Sequence, residues 1–242
     1  MGKGLYNKDN RILVYNTDCL IMMDNMINGG MQVDCIASDP PYPITSRGSA
    51  GNSGGMLQKD INKKGQVFKH NDCDVKDWMP KCYKLLKNGG HAYFMTNHKN
   101  LIEYLNTATD CGFSFIKSII WDKCNKIMGQ YYMSQYEYIL FFRKGKGIKI
   151  NNCGTSDILS IPNKKHKDSS GKNFHDTEKP IELMKILIEN STKENEIVLD
   201  PFVGIGATPM ACKEINRRFV GAELDENYFN ITGERLEGRF NE

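Results

Sequence analysis

Short apolar runs at 33–37, 91–95 and 197–199 alternate along the chain with helical patterns at 78–86, 181–189 and 227–236. That alternation constrains the fold more than any other feature. A short apolar run bounded by turn formers reads as a buried strand, and strands separated by helical segments are joined in parallel by crossovers. The sequence therefore predicts an α/β fold, a mostly parallel sheet covered by helices on both faces. The chain of 242 residues is long enough for one such domain spanning 1–242, with no internal repeat.

The first run stops at Asp39-Pro40-Pro41-Tyr42, which presents a carboxylate, a stiff kink and an aromatic ring at the carboxyl end of a strand. Proline holds φ at about −65° and removes a backbone donor that would compete for nearby acceptors. The Asp39 carboxylate and the Pro40 carbonyl are then two acceptors for the two hydrogens of an exocyclic amino group. Such a nitrogen is a poor nucleophile because its lone pair is delocalised into the ring, and two acceptors draw the lone pair back onto nitrogen. Tyr42 supplies a flat surface on which an extruded base stacks. Read alone, the four residues are equally well a polar turn after a buried strand.

A second constellation decides between these readings. Glu196-Ile197-Val198-Leu199-Asp200-Pro201-Phe202-Val203-Gly204-Ile205-Gly206-Ala207-Thr208 reads as a buried strand, a glycine turn and the start of a helix. Thr208 is the expected N-cap, with Pro209 at the first helical position. Gly204 and Gly206 let the backbone approach a ligand at the carboxyl edge of the sheet, where open α/β folds bind cofactors, and Phe202 lies within that turn. The next strand, at 218–223, ends in Glu223, 17 residues beyond Gly206, a carboxylate suited to the two hydroxyls of a ribose. The alternative is a glycine turn used only for packing. A dinucleotide fingerprint would want glycine or alanine at 209, and Pro209 argues against a nicotinamide or flavin coenzyme.

In this order the two constellations resemble the DNA amino-methyltransferases that use S-adenosylmethionine, in the circularly permuted arrangement often called the β class. Four more segments match in sequence order. Asn16-Thr17-Asp18-Cys19-Leu20 resembles the family's opening segment, and Leu85-Leu86-Lys87-Asn88-Gly89-Gly90-His91-Ala92-Tyr93-Phe94 its helix, turn and strand. The run from Ile119-Ile120-Trp121-Asp122-Lys123 to Glu137-Tyr138-Ile139-Leu140-Phe141-Phe142 resembles its late hairpin, and His175-Asp176-Thr177-Glu178-Lys179-Pro180 its His-x-Thr-x-Lys-Pro segment. The resemblance covers nearly the whole chain.

It implies a doubly wound, Rossmann-like methyltransferase sheet, S-adenosylmethionine as cofactor, double-stranded DNA as partner, a homodimer as candidate assembly, and no metal. Asp39, Pro40, Pro41 and Tyr42 would be catalytic. Asp18 would contact the cofactor adenine, beside Cys19, and Glu223 the ribose, beside Leu224. His175, Thr177, Lys179 and Pro180, with Asp39, would line the methionine end, and Asp200, Pro201, Phe202, Gly204, Ile205, Gly206, Ala207 and Thr208 would form the cofactor turn. The family often has Gly-Ser-Gly-Thr-Thr there, so hydroxyl contacts at Ile205 and Ala207 are lost and backbone contacts kept. Aspartate at the first tetrapeptide position is typical of the family's adenine-N6 enzymes and serine of its cytosine-N4 enzymes. Asp39 thus implies N6 of a flipped-out adenine, the alternatives being cytosine N4 or a silent cofactor- or DNA-binding module.

The net charge of +3 conceals a regional excess: residues 143–172 carry eight Lys or Arg against two Asp, and 43–72 carry five against two. Basic stretches beside a site for a nucleobase suit a polyanionic duplex, although any single lysine is better read as solvating a loop. The stretch 43–71, with five glycines and little periodicity, is expected to be a mobile DNA-contacting loop, against the alternative of an inconsequential insertion. The turn at 123–130 and the stretch 151–173, with its basic run Lys164-Lys165-His166-Lys167, are further candidates for target recognition. Trp78 and Trp121 read as packing residues, and the Tyr131-Tyr132 pair as either DNA-contacting or core-covering. Eight cysteines without metal-ligand spacing read as reduced thiols of a cytoplasmic protein. No apolar run approaches the ~20 residues that cross a bilayer.

Overall fold

The structure is a computed structural model that describes residues 4–6, 9–41, 73–127, 131–163 and 178–239. Tyr42, the 43–71 loop, Lys164-Lys165-His166-Lys167, His175 and Thr177 lie outside the described residues. In chain order the elements are β1 (Gly4–Tyr6), β2 (Ile12–Asn16), α1 (Cys19–Asn28), β3 (Val33–Ser38), α2 (Val75–Leu85), β4 (Leu86–Thr96), α3 (Leu101–Cys111), β5 (Phe113–Ile127), β6 (Ser134–Lys144), β7 (Ile158–Ser160), α4 (Ile181–Ser191), β8 (Ile197–Asp200), α5 (Ala207–Glu214), β9 (Arg218–Glu223) and α6 (Glu226–Leu236).

The strands form one sheet in the order β1-β2-β9-β8-β3-β4-β6-β5-β7. The run from β2 to β4 is parallel throughout, β5 and β6 form the antiparallel hairpin at one side, and β1 closes the other side antiparallel to β2. Successive side chains on a strand point to opposite faces, and the core divides accordingly. Tyr93, Met95, Ile139, Phe141 and Phe219 pack under α4, α5 and α6, whereas Ala92, Phe94, Leu140, Phe142 and Val220 pack under α1, α2 and α3. This is the expected mostly parallel sheet with helices on both faces.

Topology locates the cleft. From β8 the chain winds to β9 and from β3 it winds to β4, in opposite directions across the sheet, so the strand order reverses between β8 and β3. A crevice opens at the carboxyl ends of the strands at such a switch point. Asp200 closes β8, Ser38 closes β3 with Asp39 immediately after it, Glu223 closes β9 and Asn16 closes β2.

Two local expectations need correction. Helix α5 begins at Ala207 with Gly206, not Thr208, at the N-cap, and Pro209 is its third residue. Gly206 has φ +91°, a conformation that threonine rarely adopts, and the Thr208 hydroxyl is taken by Asp200. Proline is tolerated there because the first-turn N–H groups lack intrahelical partners in any case. The segment at 85–94 has no separate turn: β4 starts directly after α2, and an irregularity absorbs the extra residues, Val33 pairing with Leu86 but Cys35 with His91.

Among the described residues no cluster of three or more His, Cys, Asp or Glu side chains could hold a metal ion, and no helix is long and apolar enough to cross a membrane. All eight cysteines are free.

Candidate active site

The floor of the cleft is a buried carboxylate that joins two strand ends. Asp200 is 2% exposed, and its Oδ1 accepts from the Ser38 hydroxyl at 2.5 Å and from the Phe202 N–H at 3.0 Å. Its Oδ2 accepts from the Thr208 hydroxyl at 2.6 Å. Burial pushes its carboxyl up to about 6 against the pull of those three donors. Asp200 therefore shapes the turn between β8 and α5 through both of its oxygens.

Within that turn the two glycines serve different ends. At Gly206, φ is +91° and a Cβ would stand 2.9 Å from the Thr232 side chain, so the residue lets α6 pack close. At Gly204, φ is +59° and nothing lies within 4 Å of where a Cβ would be. That bare face is where backbone can meet a ligand. The Gly204 N–H donates to Glu223 Oε2 at 2.8 Å, and the Asp225 N–H donates to Glu223 Oε1 at 2.8 Å. Burial pushes Glu223 up to about 7 in spite of both. Asn16 at the end of β2 donates to the Glu223 carbonyl at 2.9 Å, which keeps the β2 and β9 ends in register. Next to it Asp18 caps α1, Oδ1 accepting from the Leu20 N–H at 2.7 Å; Cys19 is buried and Leu224 exposed. Pro201 is buried, and Phe202 packs edge-on against Trp78, ring centroids 5.5 Å apart.

The turn is also held from the far side. Arg235 of α6 donates to the Ile205 carbonyl at 2.8 Å and pairs with Glu178 at 3.0 Å, both side chains almost wholly buried. Glu178 immediately precedes Lys179 and Pro180, so one arginine ties the glycine turn to the segment entering α4.

Lys179 reaches back to the end of β3, where its ammonium pairs with Asp39 Oδ2. It lies 3.5 Å from Glu137 Oε2 on β6, and Glu137 Oε1 accepts from Lys123 of β5 at 2.6 Å. Both ammonium groups stand over the Trp121 ring, Lys123 at 5.2 Å and Lys179 at 5.9 Å from its centroid. Burial pushes Asp39 above the usual carboxylate range, with Lys179 pulling it down. Burial raises Glu137 as well, but Lys179 and Lys123 outweigh it and hold it below. Asp39 Oδ1 is buried and has no hydrogen-bond partner among the described residues. Pro40 is buried and Pro41 half-buried behind it.

The structure thus gathers Asp39, Lys179, the 200–208 turn and Glu223 along one sheet edge. Ser38, Trp121, Lys123, Glu137, Glu178 and Arg235 complete that edge without having been singled out as site residues. A signal existed for two of them: Lys123 and Glu137 are charges set in strands otherwise rich in apolar and aromatic residues, where an unpaired charge would be costly.

Comparison with known proteins identifies the family and the fold. The family model N6_N4_Mtase, described as DNA methylase, matches residues 33–234. The Type II methyltransferase M2.DpnII of Streptococcus pneumoniae is 30% identical, the match covering 98% of this chain and 93% of that protein. The crystal structure of the M1.HpyAVI–SAM complex superposes with a TM-score of 0.69 at 23% identity, covering 93% of this chain and 99% of that one. The cytosine-N4-specific PvuII DNA methyltransferase superposes with a TM-score of 0.72 at 15% identity, covering 100% and 90%. A tetrapeptide, a glycine turn and a sheet order that fit one family, matched by that family's model over most of the length, make this chain a member of the N6/N4 DNA methylase family.

Proposed function

We propose that this DNA methyltransferase transfers the methyl group of S-adenosylmethionine to N6 of an adenine extruded from duplex DNA. The observation that carries the reading is Asp39 Oδ1, a buried acceptor without a partner among the described residues, at the cleft between β3 and β8. An acceptor left bare in a buried site is costly unless a ligand donor completes it.

The residues fit the cofactor. Gly204 offers open backbone, Glu223 keeps lone pairs beyond its two backbone donors for the ribose hydroxyls, and Asp18, Lys179 and Pro180 are the remaining cofactor residues in this reading. When bound, S-adenosylmethionine supplies a methyl group on a sulfonium, a leaving group good enough that no covalent enzyme intermediate is needed. The chain's own work is positional. Asp39 Oδ1 and the Pro40 carbonyl accept the two amino hydrogens and concentrate the lone pair on nitrogen. Lys179 fixes the carboxylate through Oδ2, leaving Oδ1 for the base. Tyr42 is the stacking surface for the extruded ring. As the nitrogen gains a methyl group it must shed a proton, and Asp39, raised by burial, is the acceptor within reach. Catalysis of this kind rests on orientation and on acceptors matched to charge developing at nitrogen. The 43–71 loop and the basic stretch 143–172 are the duplex contacts in this reading, their lysines and arginines meeting phosphates.

Incubation with labelled S-adenosylmethionine and unmethylated duplex DNA, followed by digestion to nucleosides, tests the reading. N6-methyladenine is the expected product. N4-methylcytosine would overturn the base assignment while keeping the chemistry, and absence of product despite cofactor binding would overturn the enzymatic reading.

A further inference from the structure

We infer that Glu137 is a positioning residue for methyl transfer, one that shares Lys179 with Asp39 and is itself pinned by Lys123. The inference rests on the DNA-methylation reading above and extends it to residues that reading does not use.

Four charges from four parts of the chain meet beside the cleft: Asp39 after β3, Lys123 on β5, Glu137 on β6 and Lys179 before α4. Their side chains are 23%, 12%, 16% and 7% exposed, so water screens them poorly and each charge is felt by the others. An ammonium held by a single carboxylate in such a place would draw off most of that carboxylate's charge. Asp39 Oδ1 would then be a weak acceptor, and Lys179 would be free to swing from Oδ2 onto Oδ1 and occupy the position meant for the amino group. Glu137 opposes both effects. Its Oε2, 3.5 Å from the Lys179 nitrogen, is a second counter-charge that anchors the ammonium and takes part of its field from Asp39.

The arrangement is braced so that Glu137 itself stays put. Glu137 pairs across the strands with Trp121, and its other oxygen accepts from Lys123 at 2.6 Å. The Trp121 ring lies under both ammonium groups, and its Nε1 donates to the Ile161 carbonyl at 2.9 Å, which fixes the plane on which the lysines rest. Two positive and two negative charges then balance, and Oδ1 is the acceptor of Asp39 left bare among the described residues.

The test compares wild type, Glu137→Gln, Glu137→Asp and Lys123→Gln in steady-state methylation of duplex DNA, with S-adenosylmethionine affinity measured separately by calorimetry. For Glu137→Gln, kcat should fall by about 100-fold, the scale of a small misplacement at a reacting centre, while cofactor affinity stays within about twofold. Glu137→Asp should recover part of the loss, because the charge returns, and Lys123→Gln should show a smaller loss of kcat with the same split. Unchanged kcat in Glu137→Gln, or equal loss of kcat and cofactor affinity, overturns the inference; if that variant does not fold, Lys123→Gln decides by the same criteria. No product from wild type would instead overturn the methylation reading on which the inference depends.

Discussion

Asp200, buried, and Glu223, half-buried, end neighbouring strands, are both raised, and do different work. Asp200 spends its oxygens on Ser38, Thr208 and Phe202. Glu223 receives one backbone N–H on each oxygen and borders the bare face of Gly204, so it retains acceptor capacity toward a ligand. Its proton affinity has a consequence with a definite sign. At about 7 against an ordinary 4.5, Glu223 holds a proton more tightly in the ligand-free fold than in the unfolded chain. Its contribution to stability is therefore fully present below the unfolded value and is lost as pH rises through about 7. In the proposed site the ribose hydroxyls would donate to the ionised carboxylate, so binding would run the other way and release the proton. Affinity for S-adenosylmethionine should tighten as pH rises from about 6 to about 8, and Glu223→Gln should flatten that dependence in calorimetric titrations at several pH values. A pH-independent wild-type affinity would remove Glu223 from the ribose site.

At the scale of elements, the segment entering α4 owes its place to an interaction that no local pattern announces. Glu178 and Arg235 lie far apart in sequence and meet as a buried pair that also grips the Ile205 carbonyl. Removing one partner of such a pair takes a buried counter-charge from the other, which typically costs about 3–5 kcal/mol. Glu178→Ala should lose stability on that scale in denaturant unfolding, and a loss below about 1 kcal/mol would place the pair among weak surface bridges. Where local pattern sufficed, elements were legible: the runs at 33–37, 91–95 and 197–199 lie in β3, β4 and β8, and the helical patterns at 78–86, 181–189 and 227–236 coincide with α2, α4 and α6 to within a few residues. Helix α1 was not singled out, although Cys19, Met22, Met23 and Met26, which the structure buries, recur at helical spacing. Nor was the three-residue β7, because it is defined by its pairing with β5 and not by its own sequence. The start of α5 was misplaced for a related reason. Thr208 has an N-cap's chemistry, but a tertiary partner, Asp200, claims its hydroxyl.

Across the whole molecule, Asp39-Pro40-Pro41 comes early in the chain and the glycine turn late, and the adjacency of β3 and β8 brings them to one edge. Motif order made this partnership legible in the sequence, through resemblance. Of the charged group beside Asp39, Lys179 was named through that resemblance, whereas Lys123 and Glu137 stood out only as charges in apolar strands, because their spacing to Lys179 exists only once β5, β6 and the approach to α4 are folded together. In the proposed function labour is divided: Asp39 handles the target, and Asp18 together with the late half of the chain handles the cofactor. Since Lys179 keeps Glu137 as a neighbour when Asp39 is gone, Asp39→Ala should leave the fold intact. The most direct measurement is single-turnover methyl transfer by Asp39→Ala alongside its affinity for S-adenosylmethionine. Affinity should stay within about twofold of wild type while transfer falls by at least about 100-fold. Equal loss of both, or transfer retained, would overturn that division.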